Sequence, residues 1–148
     1  MDSSKFGAHG EVQAAFNAQN SILFIDLSGP FNLEFMQKYE AVVGAQRATI
    51  KSPCWASLVN VNGLGLAPMT ATQSAHNIVV NAEVKGLVAT AVIFHEQEGL
   101  ELQKKFWTRL YEGSTLPFAF FDSQDDALDW LDEHINACYQ SINDFRSA

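Results

Sequence analysis

The segment from Leu87 to Phe94 reads LVATAVIF and carries no charge at either odd or even positions. An amphipathic helix or a half-wet strand needs a polar side at its own period, and this run has none. Counted from Gly86, it is also far too short to span a bilayer, which takes roughly 20 apolar residues. The pattern is that of a strand covered on both faces, as in a parallel sheet beneath helices.

The segments around it fit that frame. Glu11 to Phe16 alternates, with Val12, Ala14 and Phe16 on one side, and Ile22 to Leu27 is a second strand. The polar turn Asn17 to Asn20 makes the two a hairpin. Gly29-Pro30 breaks the strand, and Asn32 then caps a helix whose stripe is Met36, Tyr39 and Val43 and which fades near Gln46. Trp55 to Val61 is the third strand. Pro68 suits a first helical position, and Ala71, Ala75, Ile78, Val79 and Ala82 extend a helix over about 68–84, closed by Gly86. After the Leu87–Phe94 strand, Leu102, Phe106 and Leu110 mark a third helix ending at Gly113. Phe118 to Phe121 reads as a short buried strand. Ser123 caps the last helix, whose stripe is Leu128, Leu131, Ile135, Cys138 and Ile142. The order is β-β-α-β-α-β-α-β-α: an α/β domain with a mostly parallel sheet of about five strands, one antiparallel edge strand and four helices. At 148 residues the chain makes one domain, with a core over about 11–135.

The formal net charge is −8, from 17 acids and 9 Lys and Arg. An excess of acid argues against nucleic acid, whose binders need a basic face, and against an anionic membrane surface. The charge is local. Acids crowd the stretch from Glu112 to Glu133, while Ser52 to Ala82 holds no charged residue at all. No basic start followed by an apolar run opens the chain, so the expectation is a cytoplasmic protein without stable membrane insertion. Cys54 and Cys138 are too few for a disulfide framework and read as core thiols.

Two stretches carry a resemblance. "ILFIDLSGPFN" at Ile22 to Asn32 and "LPFAFFDSQDDALDWL" at Leu116 to Leu131 resemble the STAS domain (sulfate transporter and anti-sigma-factor antagonist), specifically its SpoIIAA-like branch. The likeness spans about Glu11 to Ile135 and rests on caps and core positions. It implies a regulatory module that docks a partner through the start of the helix after the third strand and is switched by phosphorylation there. Asn60 stands where that family ends the strand with Asp, which places the phosphorylatable position at Thr70. Pro68 and Ala71 replace the Asp and Gly that flank it in the family. Other relatives of the fold carry hydrophobic ligands, including lipids.

The candidate sites follow. Thr70 sits at a helix start, where free amides favour a phosphate, although an ordinary cap is the simpler explanation given the lost neighbours. Gly63-Leu64-Gly65 lacks the rest of any phosphate-loop signature and reads as a strand exit needing positive φ. The polar residues at the carboxyl ends of the strands are Ser28, Asn60, Asn62, His95, Glu96 and Asp122. His95 with Glu96 offers acid–base chemistry, but no nucleophile–base–orienter trio can be read from spacing. The histidines have no metal-ligand spacing, and no cofactor or metal is expected. The outer face of the 68–84 helix offers Thr72, Gln73, Ser74, His76, Asn77 and Asn81. Such a neutral face is cheap to desolvate, as interface cores are. The leading expectation is a non-catalytic module binding a protein partner or a second copy through that helix and the loop before it. The alternative is a carrier of a small hydrophobic ligand, with Phe94, Phe106, Trp107 and Phe118 lining its pocket.

Overall fold

A computed structural model describes residues 10–63, 86–112 and 114–147 of the chain. Five strands form one sheet in the order β1 (Glu11–Asn17), β2 (Ile22–Ser28), β3 (Trp55–Asn62), β4 (Leu87–Phe94), β5 (Phe118–Phe121). β1 pairs antiparallel with β2, and every other pair is parallel. The hairpin strand lies at the edge, as its position in the order predicts.

Three helices lie among the described residues: α1 (Leu33–Arg47), α2 (Leu100–Tyr111) and α3 (Gln124–Ser147). The fourth expected helix, over 68–84, lies outside them. α1 starts where the sequence places it, with the Asn32 side chain accepting from the Phe35 N–H at 2.9 Å. At the start of α3, Ser123 Oγ accepts from the Asp126 N–H at 3.4 Å.

Strand alternation divides the core into two layers. Leu23, Ile25, Trp55, Val59, Val92 and Phe94 face one side, where Phe35, Met36 and Val43 of α1 and Trp107, Leu110 and Tyr111 of α2 cover them. Ile22, Ala56, Leu58, Ala89, Ala91 and Ile93 face the other, under Ala127, Leu131 and Ile135 of α3. The alanines matter, because small side chains on both partners let the helix axis approach the sheet closely. β4 is buried on both faces, so its unbroken apolar run has the cause inferred from the sequence.

Three expectations need correction. Cys54, on the approach to β3, and Cys138 of α3 are not thiols but a disulfide, with Cα atoms 6.0 Å apart and 84 residues between them in sequence. α3 crosses the sheet so that its middle, at Cys138, meets the approach to β3, a long-range meeting with no local signature. β5 is half-buried along its length rather than buried, because it is the second edge of the sheet. In α2 the inward stripe is Gln103, Trp107, Leu110 and Tyr111, and Leu102 is 57% exposed. A glutamine displaces it: Gln103 is fully buried, and its Nε2 donates to the carbonyls of Glu96 at 3.0 Å and Glu98 at 3.3 Å. That satisfied amide takes the inward position and ties the β4–α2 loop to the helix.

Two glycines have backbone reasons. Gly63 leaves β3 at φ +78°, the strand exit expected of it. Gly10 lies so close under α1 that an added methyl would meet the Phe35 ring and approach the carbonyl oxygens of Ser28 and Pro30 to 2.7 Å.

Candidate functional site

The carboxyl ends of β2, β3 and β4 bring together much of the polar set named from the sequence. Asp26 lies beside Asn60, and Ser28 beside Asn62, across the β2–β3 ladder. His95 follows β4 directly, and its backbone N–H bonds to Val61 O at 3.0 Å. Its ring Nε2 stands 2.8 Å from Asn60 Oδ1. An amide oxygen only accepts, so this contact assigns the proton to Nε2. Asn62 Nδ2 donates to Leu27 O at 3.2 Å. The Glu96 carboxylate accepts the Glu98 N–H at 3.1 Å, and its carbonyl accepts from Gln103. Asp122 is exposed at the end of β5.

This arrangement orients His95 with a neutral amide. A carboxylate partner stabilises an imidazolium that forms during proton transfer, and Asn60 has no charge with which to do so. Asn62, Asn60, His95 and Glu96 thus each have a hydrogen-bond partner at these strand ends.

A second polar group, not foreseen from the sequence, lies on the α1–α2 side near the amino ends of β3 and β4. Ser57 and Thr90 are register partners, and Ser57 Oγ donates to Thr90 Oγ1 at 2.7 Å. Thr90 also hydrogen-bonds the Tyr111 hydroxyl. These three groups, with Tyr39, Arg47 and Trp55, line a cavity of about 30 Å³. That volume suits about two waters and is an order of magnitude below a drug-sized pocket. The signal was present in the sequence: β3 and β4 each place one hydroxyl among apolar residues, at matching depth.

Burial pushes the Tyr39 phenol up to about 12, against the lowering effect of the Arg47 guanidinium. Burial also raises Tyr111, further helped by Tyr39 and opposed by the Thr90 hydrogen bond. The unfolded chain ionises its tyrosines near 10, while the folded chain keeps both protons to higher pH. Above about pH 10 the native state therefore binds more protons than the unfolded one, and stability falls as pH rises. The urea midpoint is expected to drop above about pH 10, and less steeply in Tyr111→Phe. Equal slopes in the two proteins would refute this account.

The aromatic residues named for a hydrophobic pocket are placed in packed rings. Phe94 meets Trp107 edge-on at 6.0 Å, and Phe118 stacks on Tyr111 at 5.2 Å. Phe106 is half-buried against the same core. None of the four lines the cavity. The candidates Thr70, Thr72, Gln73, Ser74, His76, Asn77 and Asn81 lie outside the described residues. Among the described residues, no helix is long and apolar enough to cross a membrane.

No family model matches the chain, and no curated protein matches it. Among solved structures it is similar to an uncharacterized protein of the DUF3478 family with a SpoIIAA-like fold, from Shewanella loihica PV-4. The two share 20% identity at a TM-score of 0.57, over 82% of this chain and 93% of that one. With the strand order and helix placement above, the chain has a SpoIIAA-like (STAS) fold. At that identity the likeness defines architecture alone.

Proposed function

We propose that the protein is a non-catalytic STAS-like binding module that engages a protein partner through the 68–84 segment and the loop before it. The observation that carries this reading is the charge-free stretch from Ser52 to Ala82 in a chain of net charge −8. An ion at an interface core must be stripped of water, and Thr72, Gln73, His76, Asn77 and Asn81 carry no such cost at neutral pH. The polar strand ends are compatible with this reading: His95 is held by the neutral amide of Asn60, Asn62 donates to Leu27 O and Glu96 accepts the Glu98 N–H.

The test is a paired substitution, Gln73→Glu with Asn77→Lys. Crosslinking in cells of origin, followed by mass spectrometry, identifies the bound protein with the unaltered chain. The double variant should lose at least tenfold in affinity for that protein, because each new charge must be desolvated on contact. Full affinity in a folded double variant would sink the assignment. A small apolar molecule retained in native mass spectrometry, with no protein captured, would favour a carrier instead.

A further inference from the structure

One edge of the sheet is β1, and the ladder fixes which of its groups face outward. Ala56 N–H bonds to Ser21 O, so the next amide in β2, that of Ile22, points the other way, towards β1. Ile22, Phe24, Asp26 and Ser28 therefore pair with Asn17, Ala15, Gln13 and Glu11. Val12, Ala14 and Phe16 are left with N–H and C=O groups turned away from the sheet. The contact of Phe16 N–H with Gln46 Oε1 at 3.3 Å, off the ladder, agrees with that assignment.

Natural edge strands are blunted by Lys, Pro, bulges or covering elements. β1 (EVQAAFN) has no Lys and no Pro, and its register with β2 is unbroken from Glu11 to Asn17. Its only charge, Glu11, is at one end. α1 guards only the two extremities: Lys38 Nζ donates to Gly10 O at 2.9 Å, and Gln46 takes the Phe16 amide. Between those guards the outward groups of Val12 and Ala14 have no partner among the described residues.

We infer that this edge pairs with the same edge of a second copy, forming an antiparallel two-fold dimer with a continuous ten-stranded sheet. The sequence of β1 is self-complementary about Ala14. A two-fold axis there sets Ala14 opposite Ala14, Val12 opposite Phe16, Gln13 opposite Ala15, and Glu11 opposite Asn17. No like charges meet, which matters between two chains of net charge −8. Val12 and Phe16 stand on the side of the sheet that α1 covers, so each β-branched and aromatic pair continues the apolar row of one copy into the other. The partner's Val12 carbonyl takes over the Phe16 amide from Gln46. An unrelated peptide would find the same backbone groups but not this side-chain match, so the second copy is the occupant favoured.

Ala14→Pro is the decisive variant. Its amide faces outward, so proline there removes no bond of the β1–β2 ladder but deletes a donor on each side of the two-fold axis. Sedimentation velocity over a concentration series should show a reversible dimer for the natural chain and association weaker by at least tenfold for Ala14→Pro, with far-ultraviolet circular dichroism unchanged. Independently of any variant, hydrogen exchange at the Val12 and Ala14 amides should slow as concentration rises. A monomer at every concentration overturns the inference, as does a dimer whose Val12 and Ala14 amides exchange at the monomer rate. Gln73→Glu with Asn77→Lys should leave this dimer intact, which separates it from the binding surface proposed above.

Discussion

Cys138→Ser is expected to lower the unfolding free energy by about 4–5 kcal/mol, one of the two largest single losses available in this chain. The bond closes a loop of 84 residues, and the chain-entropy account of cross-linking grows with the logarithm of loop length. Cys54 is fully buried beside the α3-facing core layer, so opening the link also removes the covalent tie of α3 to that layer, where Tyr139 and Ile142 pack beyond Ile135. Reduction with dithiothreitol should match the substitution, shifting the thermal midpoint down by roughly 10–15 °C. Protection from hydrogen exchange should fall first in α3 after Cys138. Oxidised protein, unfolded in guanidinium, should show no thiol reactive towards Ellman's reagent. Two reactive thiols in gently purified protein, with an unchanged midpoint on reduction, would refute the role given to the bond. The same titration bears on the compartment. A persistent disulfide is at odds with a reducing cytoplasm, so a fully oxidised native protein would argue against the cytoplasmic expectation raised by the opening residues.

How far the sequence discloses this molecule depends on the range of the forces involved. β4 was legible because its cause is local: LVATAVIF has no wet side, and both of its faces are indeed covered. The Asn32 and Ser123 caps were legible for the same reason, since a cap lies within one helical turn of the amides it serves. α2 was legible as a helix but not in phase. Hydropathy assigns Leu102 inward and Gln103 outward, whereas the loop carbonyls of Glu96 and Glu98 make the glutamine amide the better buried group. The disulfide was illegible because 84 residues separate its ends and only the path of α3 across the sheet brings them together. The Ser57–Thr90–Tyr111 chain fell between these cases. Each hydroxyl is visible in its strand, but the pairing requires the β3–β4 register. Of the candidate site, the strand-end contact of His95 with Asn60 is resolved in geometry, and the 68–84 surface rests on its lack of charge.

Trp55→Ala should cost about 3–5 kcal/mol, which for a domain of this size is a large share of the total. Trp55 opens β3 and is 2% exposed, packed between α1 and the strands. Truncation removes the indole's transfer free energy and leaves a void, and the void here adjoins the existing cavity of about 30 Å³. Two effects follow from that junction. Ser57, Thr90, Arg47 and the two tyrosines give the enlarged space polar walls on one side, so water can enter and offset part of the cavity cost. The same water would hydrate Tyr39 and Tyr111, weakening the burial that raises their phenols, so the alkaline loss of stability in Trp55→Ala should be shallower than in the natural chain. Added indole, which refills the hole, should raise the thermal midpoint of Trp55→Ala and leave that of the natural protein unchanged. A loss below about 1 kcal/mol, or a midpoint raised equally in both proteins, would show that β3 does not depend on this residue as its main anchor to the α1–α2 layer.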